Sequence, residues 1–414
     1  MSKKSVDVKL FQKLYGKKSP AKIDSVNPVS KINRTFDILT EAHNAWNSLY
    51  DFRKECERNA MYTFGDQWAD KIEHKGQSMT ESDYIKQQGK VPLKNNRIRS
   101  IVRTVLGQFS SSQTEPVCVA RDRDEQKLGE MMSMTIQYAY QKNRLWELDR
   151  RAYESFLING AAFFKTFYAW DDEACLMDVW VDSINHNRIF FDRYMEDPRH
   201  LDCSMIGEIH DLGIDDILSK FSDGSREKAA QIRDIYRGCS RDSIMQNIEN
   251  LSGDRLKTIN FYMPDDASRL RVIEIWRKET KERLRVHDWL SAESYKVEVE
   301  EERAIIEVNR RRITEQSQMG VSEENFKLIE YQWFVDRYWY FRFLSPFGDV
   351  LKEGETPYWH KSHPYSFKLY PFYNGEVHSF VSDFIDQQRY INRLITMQDF
   401  IMGAGAKGVL IVDA

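Results

Sequence analysis

Three groups of residues have types and spacings that could support chemistry, and the first is a set of glycines. Gly403, Gly405 and Gly408 match the glycine spacing of a dinucleotide-binding loop. That loop follows a strand and opens a helix, so that phosphate meets the helix N-terminus. Here a long helical pattern precedes the glycines and an apolar strand pattern, 409–412, follows them. We therefore interpret the motif as a flexible loop after a helix, and no Walker-type phosphate loop occurs elsewhere.

The other two groups could hold a metal ion. His360 and His363 lie in a proline-rich stretch without an HExxH pattern or a nearby cysteine, so they do not indicate a zinc site. Asp192, Asp197 and Asp202 could surround a divalent cation, but their spacing fits neither an EF-hand loop nor one helix face. We expect these aspartates to be solvated loop carboxylates. The sequence therefore predicts no catalytic residue, no metal and no cofactor.

The composition is that of a folded protein with many aromatic side chains. Of 414 residues, 41% are hydrophobic and 13% are aromatic, which suits sheet faces and subunit contacts. The net charge of −4 gives no overall basic field, although positive charge can still be concentrated on one surface. Five widely spaced cysteines favour a reducing compartment. No apolar run has the length of a membrane span, so we expect a soluble protein made in a cytosol.

Helix and strand patterns alternate along the chain after a basic N-terminal stretch. Residues 1–34 carry nine Lys or Arg against two Asp or Glu, which indicates a mobile arm, either a solubilising tail or a segment that orders on a partner. Apolar periodicity predicts helices at 36–64, 96–109, 123–143, 145–159, 215–221, 227–236, 300–316 and 377–402. Strands are predicted at 116–120, 162–169, 174–182, 189–192, 205–210, 269–279, 283–300 and 328–344. Residues 69–91 and 346–371 read as loops or extended connections.

Three segments share their residues with one known family. The first is Tyr-Thr-Phe-Gly-Asp-Gln-Trp at 62–68, followed by Val-Pro-Leu-Lys-Asn-Asn-Arg-Ile at 91–98. The second is Asn-Gly-Ala-Ala-Phe-Phe-Lys at 159–165, with the strands near 181–184 and 189–192. The third is Phe-Ile-Asp-Gln-Gln-Arg-Tyr-Ile-Asn at 384–392.

These segments resemble the portal proteins of tailed bacteriophages, in the short-tailed version that includes crAss-like phages. The resemblance covers roughly residues 50–414, in the right order. The chain departs from the family pattern at Ala162, where a second glycine is common, and at Asn185, where proline is common. The family also has a helical crown or barrel after this point, for which the sequence shows no counterpart.

The resemblance implies an α+β fold with portal architecture. On this sequence it implies a basic flexible arm at 1–35, an α/β wing at 36–225, a first stem segment within 226–265, a β-rich clip at 266–376, a second stem helix at 377–402, and a tunnel loop with the start of a returning wing strand at 403–414. The residues expected to face DNA in the channel are Lys407, Arg393, Arg389, Gly403, Gly405 and Gly408.

The resemblance also implies a function and a set of partners. Twelve copies would form a ring at one capsid vertex, through which double-stranded DNA is packaged and ejected. The implied partners are the major capsid protein, the large terminase subunit and a head-tail adaptor, with no membrane. The protein would assemble in the host cytoplasm, reside in the virion and not be an enzyme. The alternatives are another head-tail connector or adaptor protein, and a metal-dependent nuclease that uses Asp192, Asp197 and Asp202.

Overall fold

Helices and strands are mixed along the chain, in agreement with the expected α+β class. The computed structural model describes residues 28–112, 115–171, 173–197, 199–237, 260–266, 268–319, 326–370, 372–373 and 376–405. The principal helices are α1 (Pro28–Ser48), α2 (Tyr50–Phe64), α3 (Glu81–Gln87), α4 (Arg97–Ser111), α5 (Gln126–Lys142), α6 (Leu145–Asn159), α7 (Ile214–Phe221), α8 (Arg226–Arg237), α9 (Glu302–Gln318) and α10 (Ser382–Gly405). The strands are β1 (Lys71–His74), β2 (Gln77–Thr80), β3 (Ala161–Asp171), β4 (Leu176–Ser183), β5 (Ile189–Phe191), β6 (Met205–Leu212), β7 (Leu270–Asp288), β8 (Glu293–Glu298), β9 (Ile329–Leu344), β10 (Val350–Glu355), β11 (Tyr365–Leu369), β12 (Phe372–Tyr373) and β13 (Glu376–Val377).

The chain divides into two compact units. The first contains residues 1–44, 211–273 and 343–352, and the second contains residues 45–210, 274–342 and 353–414. The largest sheet has the strand order β10-β9-β7-β6-β5, and β8 also pairs with β7. Strands β6, β7, β9 and β10 belong partly to each unit, because the chain passes from one unit to the other within them.

The core of the first unit forms around the short helices α7 and α8. Their apolar faces pack on Val272 of β7 and Leu351 of β10. The Tyr236 hydroxyl donates a hydrogen bond of 3.0 Å to the Arg271 carbonyl. The Arg271 side chain in turn pairs with Asp211 at 2.8 Å. The buried side chains of Tyr236 and Arg271 are thus paired, as burial requires.

Two hydrophobic clusters contribute to the core in the described part of the second unit. In the larger one, helices α2, α4, α6 and α10 meet around Tyr62, Ile98, Leu157 and Ile385, all of which are buried. In the smaller one, α9 packs Ile305 against β7 and the start of β9. A separate antiparallel sheet has the order β11-β3-β4, so that β11 adds an outer strand to the predicted β3–β4 hairpin.

Helix ends in the second unit follow sequence signals. The side chain of Asn96 caps α4 by accepting a hydrogen bond of 3.0 Å from the Arg99 amide. Helices α2 and α6 end at Gly65 and Gly160, both of which have positive φ. At Gly160 a Cβ atom would lie 2.7 Å from the carbonyl oxygen of His378, so this position also requires glycine for space.

Three predictions for the N-terminal part of the chain differ from the structure. Helix α1 begins at Pro28, inside the segment expected to be a flexible arm, and proline is well suited to the first turn of a helix. The single helix predicted at 36–64 is divided at Leu49, a buried residue outside the helical φ/ψ region. The segment 69–91, expected to be a loop, contains the β1–β2 hairpin and α3. Short hairpins of polar residues carry little apolar periodicity and so escape detection.

The strand predicted at 116–120 is wrong, because this segment is extended but pairs with no strand among the described residues. The backbone amide and carbonyl of Cys118 form hydrogen bonds with a side chain instead. The Cys118 amide donates to the Ser133 hydroxyl at 2.9 Å, and that hydroxyl donates to the Cys118 carbonyl at 3.1 Å.

The loop predicted to begin at Gly403 is also wrong in its first part. Helix α10 continues through Gly403 and Gly405, which are exposed. Each glycine costs a helix about 1 kcal/mol relative to alanine, which does not end a helix whose earlier turns are packed. Lys407, Gly408 and the predicted strand 409–412 lie outside the described residues.

Candidate functional site

The long helix α10 is held in the second unit by buried polar side chains on one of its faces. Ile385, Gln388, Asn392 and Thr396 are buried and follow one another at three- or four-residue spacing. Three of these four residues are polar, and polar side chains are seldom fully buried unless they are hydrogen-bonded. Their partners therefore decide how this helix is positioned.

We call Gln67, Asn95, Gln388 and Asn392 the amide network. The Gln388 oxygen accepts from the Arg97 amide at 2.8 Å, and its NH₂ group donates to the Asn95 carbonyl at 2.7 Å. The Gln388 NH₂ group also donates to the Asn392 oxygen at 2.9 Å. Asn392 donates to the Gln67 oxygen at 2.7 Å and accepts from the Asn95 amide at 3.0 Å. A connected network of this kind fixes one register of the helix.

The amide network also completes the N-terminus of α4. The first N–H groups of a helix have no partner within the helix. Gln388 accepts from the amides of Arg97 and Ile98, the first two residues of α4, at 2.8 and 3.4 Å. Helix α10 thus supplies the acceptor that α4 needs, and one side chain couples two elements nearly 300 residues apart.

A charged cluster lies beside the network on the same helix. Arg389 and Arg393 both donate to the same Glu81 oxygen, at 2.5 and 2.8 Å. Asp70 accepts from Arg58 at 2.9 Å and lies 3.9 Å from Arg389. Burial disfavours charge at Arg389, but the hydrogen bond to Glu81 outweighs it and raises the pKa of Arg389 above its usual value. Three arginines face two carboxylates, so the cluster keeps a net charge of +1.

The residues expected to face DNA are thus placed differently from one another. The Arg389 side chain is 24% exposed and is committed to Glu81, whereas that of Arg393 is 56% exposed and retains free donors. Gly403 and Gly405 are exposed in the last turns of α10. Lys407 and Gly408 lie outside the described residues.

A second charged cluster joins β3, β6 and β7 in the same unit. The side chains of Glu208, His210 and Glu274 each offer an atom within 4.8 Å of the others, a spacing that could hold a metal ion. The Lys165 ammonium lies 2.5 Å from Glu274 and 3.2 Å from Glu208, and His210 lies 2.7 Å from Glu274. A lysine thus supplies the cation that these carboxylates require, and the residues do not fit a resident metal as well as they fit this ion pair.

The charges of this second cluster stabilise one another. Burial raises the cost of ionising Glu274, but Lys165 and His210 outweigh it and hold the pKa of Glu274 below its usual value. Burial likewise disfavours the charged form of Lys165, and the two glutamates raise the pKa of Lys165 above its usual value. Both residues are therefore charged at neutral pH.

The aspartates weighed as nuclease ligands complete turns instead. Asp192 accepts from the Ser204 hydroxyl at 2.5 Å, and Asp202 accepts from the Asp197 amide at 3.0 Å. Asp197 pairs with Arg199 at 3.1 Å. The described residues therefore do not bring the three carboxylates together as a ligand set for a metal ion.

The two histidines of the proline-rich stretch also serve turns. The His360 ring accepts from the Ser362 amide at 3.1 Å, and the His363 ring accepts from the Tyr365 amide at 3.3 Å. Burial, with Lys278 nearby, lowers the pKa of His363 to about 4. His363 is thus neutral at pH 7 and acts as a hydrogen-bond acceptor.

Similarity to known proteins agrees with this arrangement. The family described as Phage P22-like portal protein matches residues 39–414. The chain belongs to this portal family. Portal proteins are structural rather than enzymatic, and a search of curated proteins finds no match. No helix in the described part of the chain combines the length and apolar character of a membrane span. Two of the three segments that resemble portal proteins meet in the amide network, through Gln67 and Asn95 on one side and Gln388 and Asn392 on the other.

We predict that Gln388→Ala destabilises the protein more than Gln387→Ala. Removing Gln388 leaves the Arg97 amide and the Asn95 carbonyl without their partners in a buried place, which costs about 1–3 kcal/mol per group. Gln387 is exposed on the same helix, so its loss should change stability by less than about 0.5 kcal/mol. Urea unfolding of both variants measures the difference, and equal midpoints would contradict the role given to the network.

We also predict that Lys165→Met costs about 3–5 kcal/mol at neutral pH, because it leaves buried carboxylates without a cation. The folded pKa of Glu274 is depressed, so the pair stabilises above the unfolded value near 4.3 and loses this contribution as the pH falls through the folded value. The difference in the free energy of unfolding between Lys165→Met and the wild type should therefore become smaller in acid. Thermal unfolding at two pH values measures this difference, and Lys71→Met, at an exposed position, is the control. A difference in unfolding free energy that does not change with pH would argue against the ion pair.

Proposed function

We propose that this chain is the portal subunit that forms a ring-shaped channel at one capsid vertex. Double-stranded DNA would be packaged and ejected through the channel, and the large terminase subunit and a head-tail adaptor would dock on the ring in turn. The observation that carries the proposal is the portal family match over 39–414. The virion location follows from the same match.

The outer face of α10 supports assembly into a ring. Tyr390, Leu394, Met397 and Ile401 are 47–64% exposed and repeat at three- or four-residue spacing, on the side away from the amide network. We call these four residues the apolar stripe. Exposed apolar rows of this kind mark interaction sites. A closed ring needs two different complementary surfaces on each subunit, and we propose the apolar stripe as part of one of them.

We further propose the portal layout of the chain. The wing would occupy about 36–225, the first stem segment 226–265 and the clip 266–376, and α10, which continues through Gly405, would be the second stem helix leading to the tunnel loop. The strand-rich content of β7 to β11 supports the clip. The major capsid protein would contact the ring, which would assemble in the host cytoplasm.

The charge around α10 supports a channel that holds DNA loosely. The cluster of Arg58, Asp70, Glu81, Arg389 and Arg393 keeps one net positive charge per subunit. Strong phosphate binding depends on many unpaired cations, and it would oppose the sliding of DNA. Arg393 and Lys407 would therefore provide weak, repeated contacts around the ring.

We predict that the purified chain forms rings of about twelve copies in native mass spectrometry, as the family's symmetry implies. Leu394→Asp with Met397→Asp should reduce ring formation, because charge in an apolar contact costs several kcal/mol. Ile313→Asp on α9, which is 40% exposed, is the matched control. A chain that stays monomeric at high concentration contradicts the portal proposal, and equal losses in both variants contradict the role of the apolar stripe.

We predict that Lys407→Glu and Arg393→Gln change DNA packaging or retention and leave ring assembly intact. Both changes remove a proposed phosphate contact without altering the amide network. Nuclease-protected DNA per particle measures packaging, and native mass spectrometry measures assembly. If Lys407→Glu prevents assembly, the segment after α10 has a structural role instead.

A further inference from the structure

A basic groove lies between α4 and α6 in the second unit, away from the charged cluster of α10. Its volume is about 520 Å³. Arg99 and Arg103 line it from α4, and Arg150 and Arg151 line it from α6. The remaining lining residues are Thr63, Phe64, Val102, Leu106, Trp146, Glu147 and Glu154. We call this site the arginine groove.

The four guanidinium groups of the arginine groove have no ion-pair partner in the described part of the chain. Among the described residues, no carboxylate oxygen lies within 4.0 Å of any of them. Some other arginines of the unit are paired: Arg342 lies 2.6 Å from Glu279, and Arg389 lies 2.5 Å from Glu81. Carboxylates thus pair with these two arginines, whereas no described carboxylate pairs with the four arginines of the groove.

The balance of charge in the groove favours an anion. Four arginines stand against Glu147 and Glu154, which leaves a net charge of +2. Arg99 and Arg103 are one helical turn apart, and like charges at this spacing destabilise a helix by about 0.2–0.5 kcal/mol. Glu147 and Glu154 offset only half of the positive charge of the groove, and a bound polyanion would offset the rest.

The arginine groove also presents aromatic surface beside its charges. Phe64 is 58% exposed and Trp146 is 47% exposed. The Arg99 guanidinium lies 5.5 Å from the centre of the Phe64 ring. Guanidinium groups can bind phosphate oxygens in pairs, and the Phe64 ring holds the Arg99 guanidinium at the edge of the groove.

We propose that the arginine groove binds the phosphate backbone of DNA, as a contact separate from the one proposed at the end of α10. The inference deepens the proposed portal function and rests on it for the choice of ligand. An acidic polypeptide would satisfy the same charges, and its binding is one outcome of the test below. Each subunit thus offers DNA two to four guanidinium contacts on the α4–α6 surface.

The test uses the full, assembled chain and a fluorescent duplex of about 20 base pairs. Arg150→Gln with Arg151→Gln is compared with Arg303→Gln and Arg310→Gln, which remove the same charge from exposed positions on α9. Gln and Arg have similar helix propensities, so neither pair should unfold its helix. Anisotropy titrations across about 50–200 mM salt should show weaker binding for the groove variant, with a salt slope lower by about 2.

The outcomes separate this inference from the portal proposal. Wild-type affinity and salt slope in the groove variant would overturn the DNA assignment. Binding of polyglutamate in place of the duplex, lost in the groove variant, would also overturn it in favour of an acidic peptide. Native mass spectrometry of the same samples measures ring assembly independently. If the groove variant forms rings and keeps full DNA binding, only the DNA contact at the arginine groove is contradicted, and the portal proposal is not.

Discussion

The position of α10 depends on buried amide groups that have few alternative hydrogen-bond partners. Gln388 and Asn392 are removed from water, and a buried amide without partners costs about 1–3 kcal/mol per group. Their partners exist in one arrangement only, on Gln67 and on the backbone of Asn95 and Arg97. The amide network therefore sets the rotation and height of α10, and with them the direction of its exposed face. An apolar contact alone would leave the helix freer to slide.

Because α10 is fixed on one side, its other side can be shared with a neighbour. The apolar stripe points away from the network, and the arginines of the same helix are already largely neutralised by Glu81 and Asp70. Four further arginines, which have no carboxylate partner among the described residues, line the arginine groove. In the proposed function, this unit would use three different surfaces for internal anchoring, for contact between copies and for contact with phosphate.

Periodicity and local signals predicted most elements, including α4, α6, the β3–β4 hairpin and the long helix with its apolar residues. Local rules were also sufficient for the ends at Gly65 and Gly160. They could not show that Glu81 receives two arginines more than 300 residues away, or that Lys165 meets Glu274 across 109 residues. Such long-range pairs have no characteristic spacing in the sequence, and they form only when the fold brings the two residues together. Gly403 and Gly405 led to a wrong prediction of a loop, because the packing of the earlier turns of α10 overrides their low helix propensity.

The most direct test of this account is a cryo-electron microscopy map of the assembled chain. We expect a closed ring in which α10 approaches the central axis. The amide network should face the core of its own subunit, and the side chains of Tyr390, Leu394 and Met397 should lie against the neighbouring copy. A ring with α10 on its outer perimeter, or with the apolar stripe open to solvent, would contradict the account.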